Sequence, residues 1–335
     1  MALENIRGHS KQVNLLRAAI QHGRIPHAYL FTGLEGVGKR LLAENLAKVL
    51  NCQNPIDPEG KLDACNECSA CKKIDNKTHP DVQFIEPDGQ FIKIDQLRDL
   101  FKAVSFKPYE GRWKVFLIDQ AETLNPTTAN ALLKTLEEPT KRTLFILISG
   151  RPHLMLPTII SRCQRIRFGA IPYKDLFNIL LKKGLKTEDA TFYSNIAEGS
   201  VGKALSLAGG ELKNIAATKL EPLSMFLSKT KFSGPETVEE LFELSKELLE
   251  EKGQLPLIID VLRSWYRDLI IWKATSDESL IIHQKRASVI SKQASSVSTK
   301  ELFRRLDLIE QLSIDIDHNA NKQLAVEQML ISSVA

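Results

Sequence analysis

Apolar positions along this 335-residue chain follow one rhythm up to about residue 170 and another beyond it. Helical and extended periods alternate in the first stretch. Val13, Leu16, Ala19 and Ile20 share one face of a predicted helix between His9 and His22. His27 to Thr32 is a short apolar run with a β bias, and Leu41 to Leu50 is helix-like without interruption. Val82 to Glu86 predicts a strand, while Leu97, Leu100, Phe101 and Val104 place an amphipathic helix over Ile94 to Val104. Lys114 to Asp119 and Thr143 to Ser149 have the unbroken apolar character of fully buried strands. Between them Ala129, Leu132, Leu133 and Leu136 form the stripe of a helix from Thr123 to Glu138, which Pro139 ends. Pro157 to Cys163, then Arg165, Ile166, Arg167 and Phe168, close the series. Alternation from 27 to 168 predicts an α/β domain with a parallel sheet and helices on both faces.

Gly169-Ala170-Ile171-Pro172 is a plausible boundary, and no convincing strand follows it. Asp175 to Leu185, Glu188 to Glu198 and Val201 to Ala208, the last opened by Gly199-Ser200, predict a small domain of three helices over 170–210. Gly209-Gly210 and the irregular Ser228 to Pro235 bracket a passage into helices at 236–252, 255–274, 278–294 and 299–333, with the Ser-rich Ser291 to Thr299 as a loop. The expected division is therefore 1–169, 170–210 and an all-α 211–335. Trp265, Tyr266 and Trp272 could stack nucleic-acid bases, but their helical spacing favours packing in a core or against a subunit.

Composition narrows the class. Hydrophobic content of 43% with 26% charged residues is that of a soluble globular protein, and the length exceeds one ordinary core. A net charge of +4 permits nucleic-acid contact without demanding it. No run of 18 apolar residues predicts a membrane span, and Met1 to Arg7 lacks the apolar core of a signal peptide. A cytoplasmic protein with reduced thiols and no membrane partner is expected.

The chemistry concentrates in Gly33-Leu34-Glu35-Gly36-Val37-Gly38-Lys39-Arg40, which fits the phosphate-loop pattern G-x-x-x-x-G-K except at its last position. Glycines let backbone N–H groups curl around a phosphate, and Lys39 supplies a point charge. Arg40 replaces the Ser or Thr whose hydroxyl ligates Mg²⁺; an arginine cannot coordinate a cation and would add positive charge beside the phosphates. Strand before and helix after give the context such a loop requires. Asp119, at the end of its strand, is placed as the residue that binds the Mg²⁺ shell, or else as a simple turn residue; Gln120 beside it cannot act as a general base.

Four of the five cysteines are Cys52, Cys65, Cys68 and Cys71, the last three forming two C-x-x-C steps that share Cys68. Four thiolates at that spacing suit tetrahedral zinc in a structural role; the weaker alternatives are a disulfide, which conflicts with a reducing compartment, an Fe–S cluster with the same ligands, and scattered structural cysteines. Pro55, Pro58 and Gly60 mark the segment as an excursion, and His79 in Thr78-His79-Pro80-Asp81 reads as a turn residue.

With these residues in hand, the chain resembles the clamp-loader subunits of bacterial DNA polymerase III, members of the AAA+ family. Ala129-Asn130-Ala131-Leu132-Leu133-Lys134-Thr135-Leu136-Glu137-Glu138-Pro139 is similar to the family's hallmark helix, Ser161-Arg162-Cys163 to its Ser-Arg-Cys motif, and the four cysteines to its zinc module at about 52–71. The resemblance implies an AAA+ nucleotide-binding domain, a helical lid and a C-terminal oligomerisation collar. It implies ATP or ADP at Gly33, Gly36, Val37, Gly38, Lys39, Arg40 and Asp119, leaving Mg²⁺ undecided. It implies gamma/tau and delta subunits as partners in a hetero-pentamer, with the sliding clamp and primed DNA reached through the complex.

The family's ATP-hydrolysing gamma/tau subunit would carry Gly-Lys-Thr in the loop, Asp-Glu after the strand and a lid arginine after Gly-Ser. Here those places hold Arg40, Gln120 and Gly202, with Lys203 one position off. The expected function is a largely non-hydrolysing stator of the DNA polymerase III holoenzyme, whose Arg162 reaches toward a neighbour's γ-phosphate as an arginine finger. A surface or salt-bridged Arg162 is the plainer alternative. The competing function is an active AAA+ ATPase, a gamma/tau-like motor, which Lys39 and Asp119 favour.

Overall fold

The structure, a computed structural model, describes residues 3–57, 60–209, 223, 235–250, 255–318 and 320–334. Its organising layer is a five-stranded sheet of β1 (Ala28–Gly33), β2 (Val82–Ile85), β3 (Lys114–Ile118), β4 (Thr143–Ser149) and β5 (Gln164–Phe168), in the order β2-β3-β4-β1-β5 with every pair parallel. Helix α1 (Ser10–Gln21) precedes the sheet; parallel strands need crossovers, and α2 (Lys39–Asn51), α3 (Ser69–Asp75), α4 (Ile94–Val104), α5 (Pro126–Glu137) and α6 (Pro157–Ile160) supply them. Covered on both faces, β3 and β4 are buried at every position. Leu97, Leu100, Val104, Ala129, Leu132 and Leu136 pack on Phe116, Ile118, Phe145 and Leu147, with the Phe116 and Phe145 rings stacked at 5.2 Å.

Edge strand β5 differs. Gln164, Arg165 and Arg167 are exposed while Ile166 and Phe168 are buried, so it alternates where the central strands run continuously. That is why no apolar run announced it. The helix predicted from Thr123 begins later, because residues 121–123 form a single 3₁₀ turn. The Asn125 side chain then accepts the Thr128 N–H, and Pro126 takes the first helical position.

The rest of the described chain is helical: α7 (Tyr173–Lys182), α8 (Thr187–Ile196), α9 (Val201–Ala208), α10 (Pro235–Glu250), α11 (Leu255–Thr275), α12 (Ala287–Ser296), α13 (Thr299–Asp317) and α14 (Lys322–Val334). Two compact units result, residues 1–176 with 199–202, and 177–198 with 203–335. In the second, Trp265 and Tyr266 are fully buried and the Trp265 indole donates to Gln293, so these aromatics are core, with Trp272 half-buried.

Three expectations for this unit need correction. The helix predicted over 278–294 is two 3₁₀ turns followed by α12. Its apolar residues are held off helix because the fully buried Asp268 carboxylate accepts the N–H groups of Ile282 and His283, each at 2.8 Å. The predicted Ser-rich loop from Ser291 is helical to Ser296, the hydroxyls of Ser295 and Ser296 donating back to the Ser291 and Gln293 carbonyls. The single helix predicted over 299–333 is broken, since Asn321 starts a new one by accepting the N–H groups of Gln323 and Leu324. Of the passage predicted from Gly210 through Ser228 to Pro235, residues 210–222 and 224–234 lie outside the described residues, as do 251–252 and Pro58. Among the described residues, no helix is long and apolar enough to cross a membrane.

Candidate functional site

The phosphate loop joins the end of β1 to the start of α2. Gly33 has φ +145°, and a Cβ there would lie 2.2 Å from the Phe168 carbonyl oxygen on β5. Gly36 has φ +72°, and its Cβ would meet Ser200 Oγ at 2.4 Å and Gly202 Cα at 2.9 Å. Both places therefore require glycine.

Each carbonyl across the loop's crest has a donor from this chain. Lys39 Nζ donates to Gly33 O at 2.6 Å and Leu34 O at 2.7 Å. Ser200 Oγ donates to Glu35 O at 2.7 Å, and Gly202 N to Gly36 O at 2.9 Å. His9 Nε2 meets Val37 O at 2.8 Å, which fixes the proton on that nitrogen because a carbonyl only accepts. With the carbonyls engaged, the loop's N–H groups remain for an anion at the start of α2. A cleft of about 450 Å³ opens there, lined by Gly36, Gly38, Lys39, Arg40, Asp119 and Gln120 among others. Gly33 and Val37 do not line it; Val37 is buried and shapes the loop from behind. Burial pushes the Lys39 ammonium below its ordinary value, and the carboxylates of Glu35, Glu122 and Asp119 pull it partly back.

Arg40 sits in a fork of carboxylates. Its Nε donates to Glu44 at 2.9 Å, Nη2 to Glu86 at 2.6 Å and Nη1 to Asp119 at 3.3 Å. The charge expected beside the phosphates is thus already met by three acids. Asp119 follows β3 directly, its N–H donating to Ile85 O and its Oδ1 accepting from Gln120, whose φ of 49° turns the chain sharply. Glu122 Oε1 accepts the N–H groups of Gly150 and Arg151, tying the end of β4 to this corner.

The remaining candidates stand apart from the cleft's lining. Lys203 is ion-paired to Asp260 at 2.7 Å. Gly202 packs against Gly36 with no space for a side chain. Arg162 follows α6 at the surface, its Nη2 donating to Glu137 at 2.6 Å and Nη1 to Thr158 O at 3.0 Å. Cys163 packs against the sheet core, and burial pushes its thiol up to about 12.

Cys52 ends α2, Cys68 caps α3, and the sulfurs of Cys52, Cys65, Cys68 and Cys71 all lie within 4.8 Å of one another. Separations of 3.4 Å for Cys52–Cys65 and 3.9 Å for Cys52–Cys68 bracket the roughly 3.8 Å that a tetrahedral ion with metal–sulfur bonds of about 2.3 Å would impose. Backbone N–H groups of Cys65 and Cys68 point at Cys52 and Cys65 sulfur, as they do toward thiolates. The residues fit a metal. His79 is a buried turn residue that accepts the Asp81 N–H, outside the cluster.

Sequence reasoning missed His9, Ser200, Glu44, Glu86 and Glu122. Glu44 was legible, being four residues after Arg40 on a predicted helix. Glu86 and Ser200 arrive from 46 and 165 residues away and leave no local signal.

Fold and site together define a phosphate-loop α/β protein with a helical C-terminal region. A family model described as DNA polymerase III, delta subunit, matches residues 8–172, and one for the C-terminal part of the delta subunit matches 226–333. The DNA polymerase III subunit delta' of Pseudomonas aeruginosa is 32% identical over 316 residues, covering 91% of this chain and 90% of that one. Its Bacillus subtilis counterpart is 28% identical over 319 residues, covering 95% and 94%. The Bacillus subtilis subunit tau is 30% identical over 325 residues, 91% of this chain, which spans only 56% of that relative's length. The chain belongs to the delta' family of DNA polymerase III subunits.

Proposed function

We propose that this chain is a stator of a DNA polymerase III clamp loader. It would assemble with gamma/tau and delta subunits in a hetero-pentamer that opens a sliding clamp and places it on primed DNA. Residues 1–169 would be its AAA+ domain, 170–210 a three-helix lid and 211–335 the oligomerisation collar. Zinc at Cys52, Cys65, Cys68 and Cys71 would brace the first of these. The carrying observation is the corner around Arg40: a guanidinium on Asp119, no hydroxyl at the loop's last position and Gln120 where a base is needed. Lys203 adds nothing to the cleft, since Asp260 holds it. The chain retains a cradle but has lost the groups that cleave.

Arg162 is the part offered to a neighbour. It is about a third exposed, and its Glu137 partner is half exposed, so the pair is weak enough to exchange for a phosphate across an interface. The test is ATP hydrolysis by the isolated chain and by the assembled complex. No turnover alone, with complex turnover falling about 10³-fold or more on Arg162→Ala, is expected. Brisk hydrolysis by the lone chain, abolished by Lys39→Ala, would instead establish the gamma/tau-like motor.

A further inference from the structure

In a phosphate loop the last hydroxyl and the strand-end aspartate hold Mg²⁺ against the phosphates. Neither is available here. The hydroxyl is replaced by Arg40, and Asp119 Oδ2 is the acceptor of Arg40 Nη1. The guanidinium is anchored by Glu44, Glu86 and Asp119, and it lines the same cleft as Gly38 and Lys39. We propose that Arg40 stands in for the divalent cation, so that this cleft binds a nucleoside di- or triphosphate free of metal. This rests on the reading of the loop as a nucleotide site and names the form of ligand that the site takes.

The chemistry follows from what a guanidinium is. It never deprotonates in a protein, so its charge is as permanent as that of an ion. It carries five N–H donors in a planar fork suited to phosphate oxygens. Its bonds to Glu44, Glu86 and Asp119 leave one N–H on each terminal nitrogen for a ligand. The same acids keep it in place before any ligand arrives, so little side-chain freedom is lost on binding. A Mg²⁺ ion approaching Asp119 would have to displace Arg40 and then sit beside a second positive charge. Added Mg²⁺ should therefore bring no affinity.

ADP and ATP are titrated by calorimetry into the full chain, once in excess EDTA and once in excess Mg²⁺. Dissociation constants agreeing within about threefold between the two conditions are expected. Arg40→Thr restores the hydroxyl and frees Asp119; its binding should fall at least about tenfold in EDTA and return with Mg²⁺. Circular dichroism checks that variant's folding, and Arg40→Lys, which keeps the charge, should lose less metal-free affinity than Arg40→Thr. Wild-type affinity that drops about tenfold or more in EDTA would overturn the proposal. So would failure to bind either nucleotide in both conditions, although the stator reading survives that result because it needs no ligand in this cleft. Hydrolysis by the lone chain would sink the stator reading without touching metal-free binding.

Discussion

The phosphate loop and the cysteine cluster lie at opposite ends of α2, yet they solve opposite problems. Around the loop the chain supplies every partner itself: Lys39, Ser200, Gly202 and His9 satisfy its carbonyls with no ligand present. At the other end four sulfurs crowd together, and among the described residues they meet one another and backbone N–H groups. Burial pushes the Cys52 and Cys71 thiols up, while Cys68, despite its own burial, is drawn down to about 6 by backbone N–H groups of Cys71 and Gln53. Thiols so close cannot all ionise unless a positive ion joins them. The loop's carbonyl partners all come from this chain, whereas the four sulfurs have the spacing of a set that a cation would complete.

The largest expected effect breaks the second site and spares the first. Structural zinc contributes about 10–16 kcal/mol in small zinc-dependent folds, and even a fraction of that would dominate the stability of residues 52–71. Stoichiometric metal removal should lower the unfolding midpoint by about 5 °C or more. It should also open residues 52–75 to protease while the β1–α2 loop stays protected. An unchanged melt and cleavage pattern after the metal has left would show that the cysteines need no ion.

How far each site could be read in advance follows from the same difference. The cysteine set is local: Cys65, Cys68 and Cys71 lie within one turn and a short helix, so spacing alone brought them together. The glycines and Lys39 are likewise contiguous, and the strand and helix around them were visible as apolar periods. What escaped was everything that reaches the loop from afar. Ser200 and Gly202 come from the start of α9, and His9 from the residue before α1. The edge strand β5 escaped because half its residues face solvent. The helical unit was misread for another reason. Asp268 on α11 is fully buried, and its carboxylate rewrites residues 282–283. A buried charge that organises backbone leaves no periodic trace.

A mid-sized effect tests whether the loop is truly self-sufficient. Gly36→Ala puts a methyl 2.9 Å from Gly202 Cα and 3.0 Å from Gly202 N, and unlike Ser200 Oγ those backbone atoms cannot rotate away. A left-handed backbone costs a non-glycine residue about 1–2 kcal/mol, and overpacking adds about 1–3 more. A loss of about 2–5 kcal/mol is expected, together with loss of ADP binding, while metal content at the cysteines stays the same. Binding and stability that persist in Gly36→Ala would mean that the contact with residues 200–202 does not shape the loop.

The smallest effect comes from a proton on a buried histidine. His9 is buried between Val37 O and the Phe168 ring, 5.0 Å away in an edge-on contact. Burial first, and then the charge on Lys39, hold its pKa below 6.5, against the opposing influence of the bond to Val37. Protonation would keep the Nε2–H donor and add only an unwelcome charge. In the unfolded chain His9 takes its proton near pH 6.5, whereas in the folded chain it resists until lower pH. Its contribution is therefore whole above 6.5 and shrinks as pH falls toward the folded value, by at most about 1.4 kcal/mol per pH unit. Melts at pH 7.5 and 5.5 should show wild type losing more stability than His9→Gln, which can still donate to Val37 but does not titrate, the excess staying below about 1.4 kcal/mol. Parallel losses in the two proteins would mean that His9 is a passive wedge and that the loop's fifth carbonyl is held by packing alone.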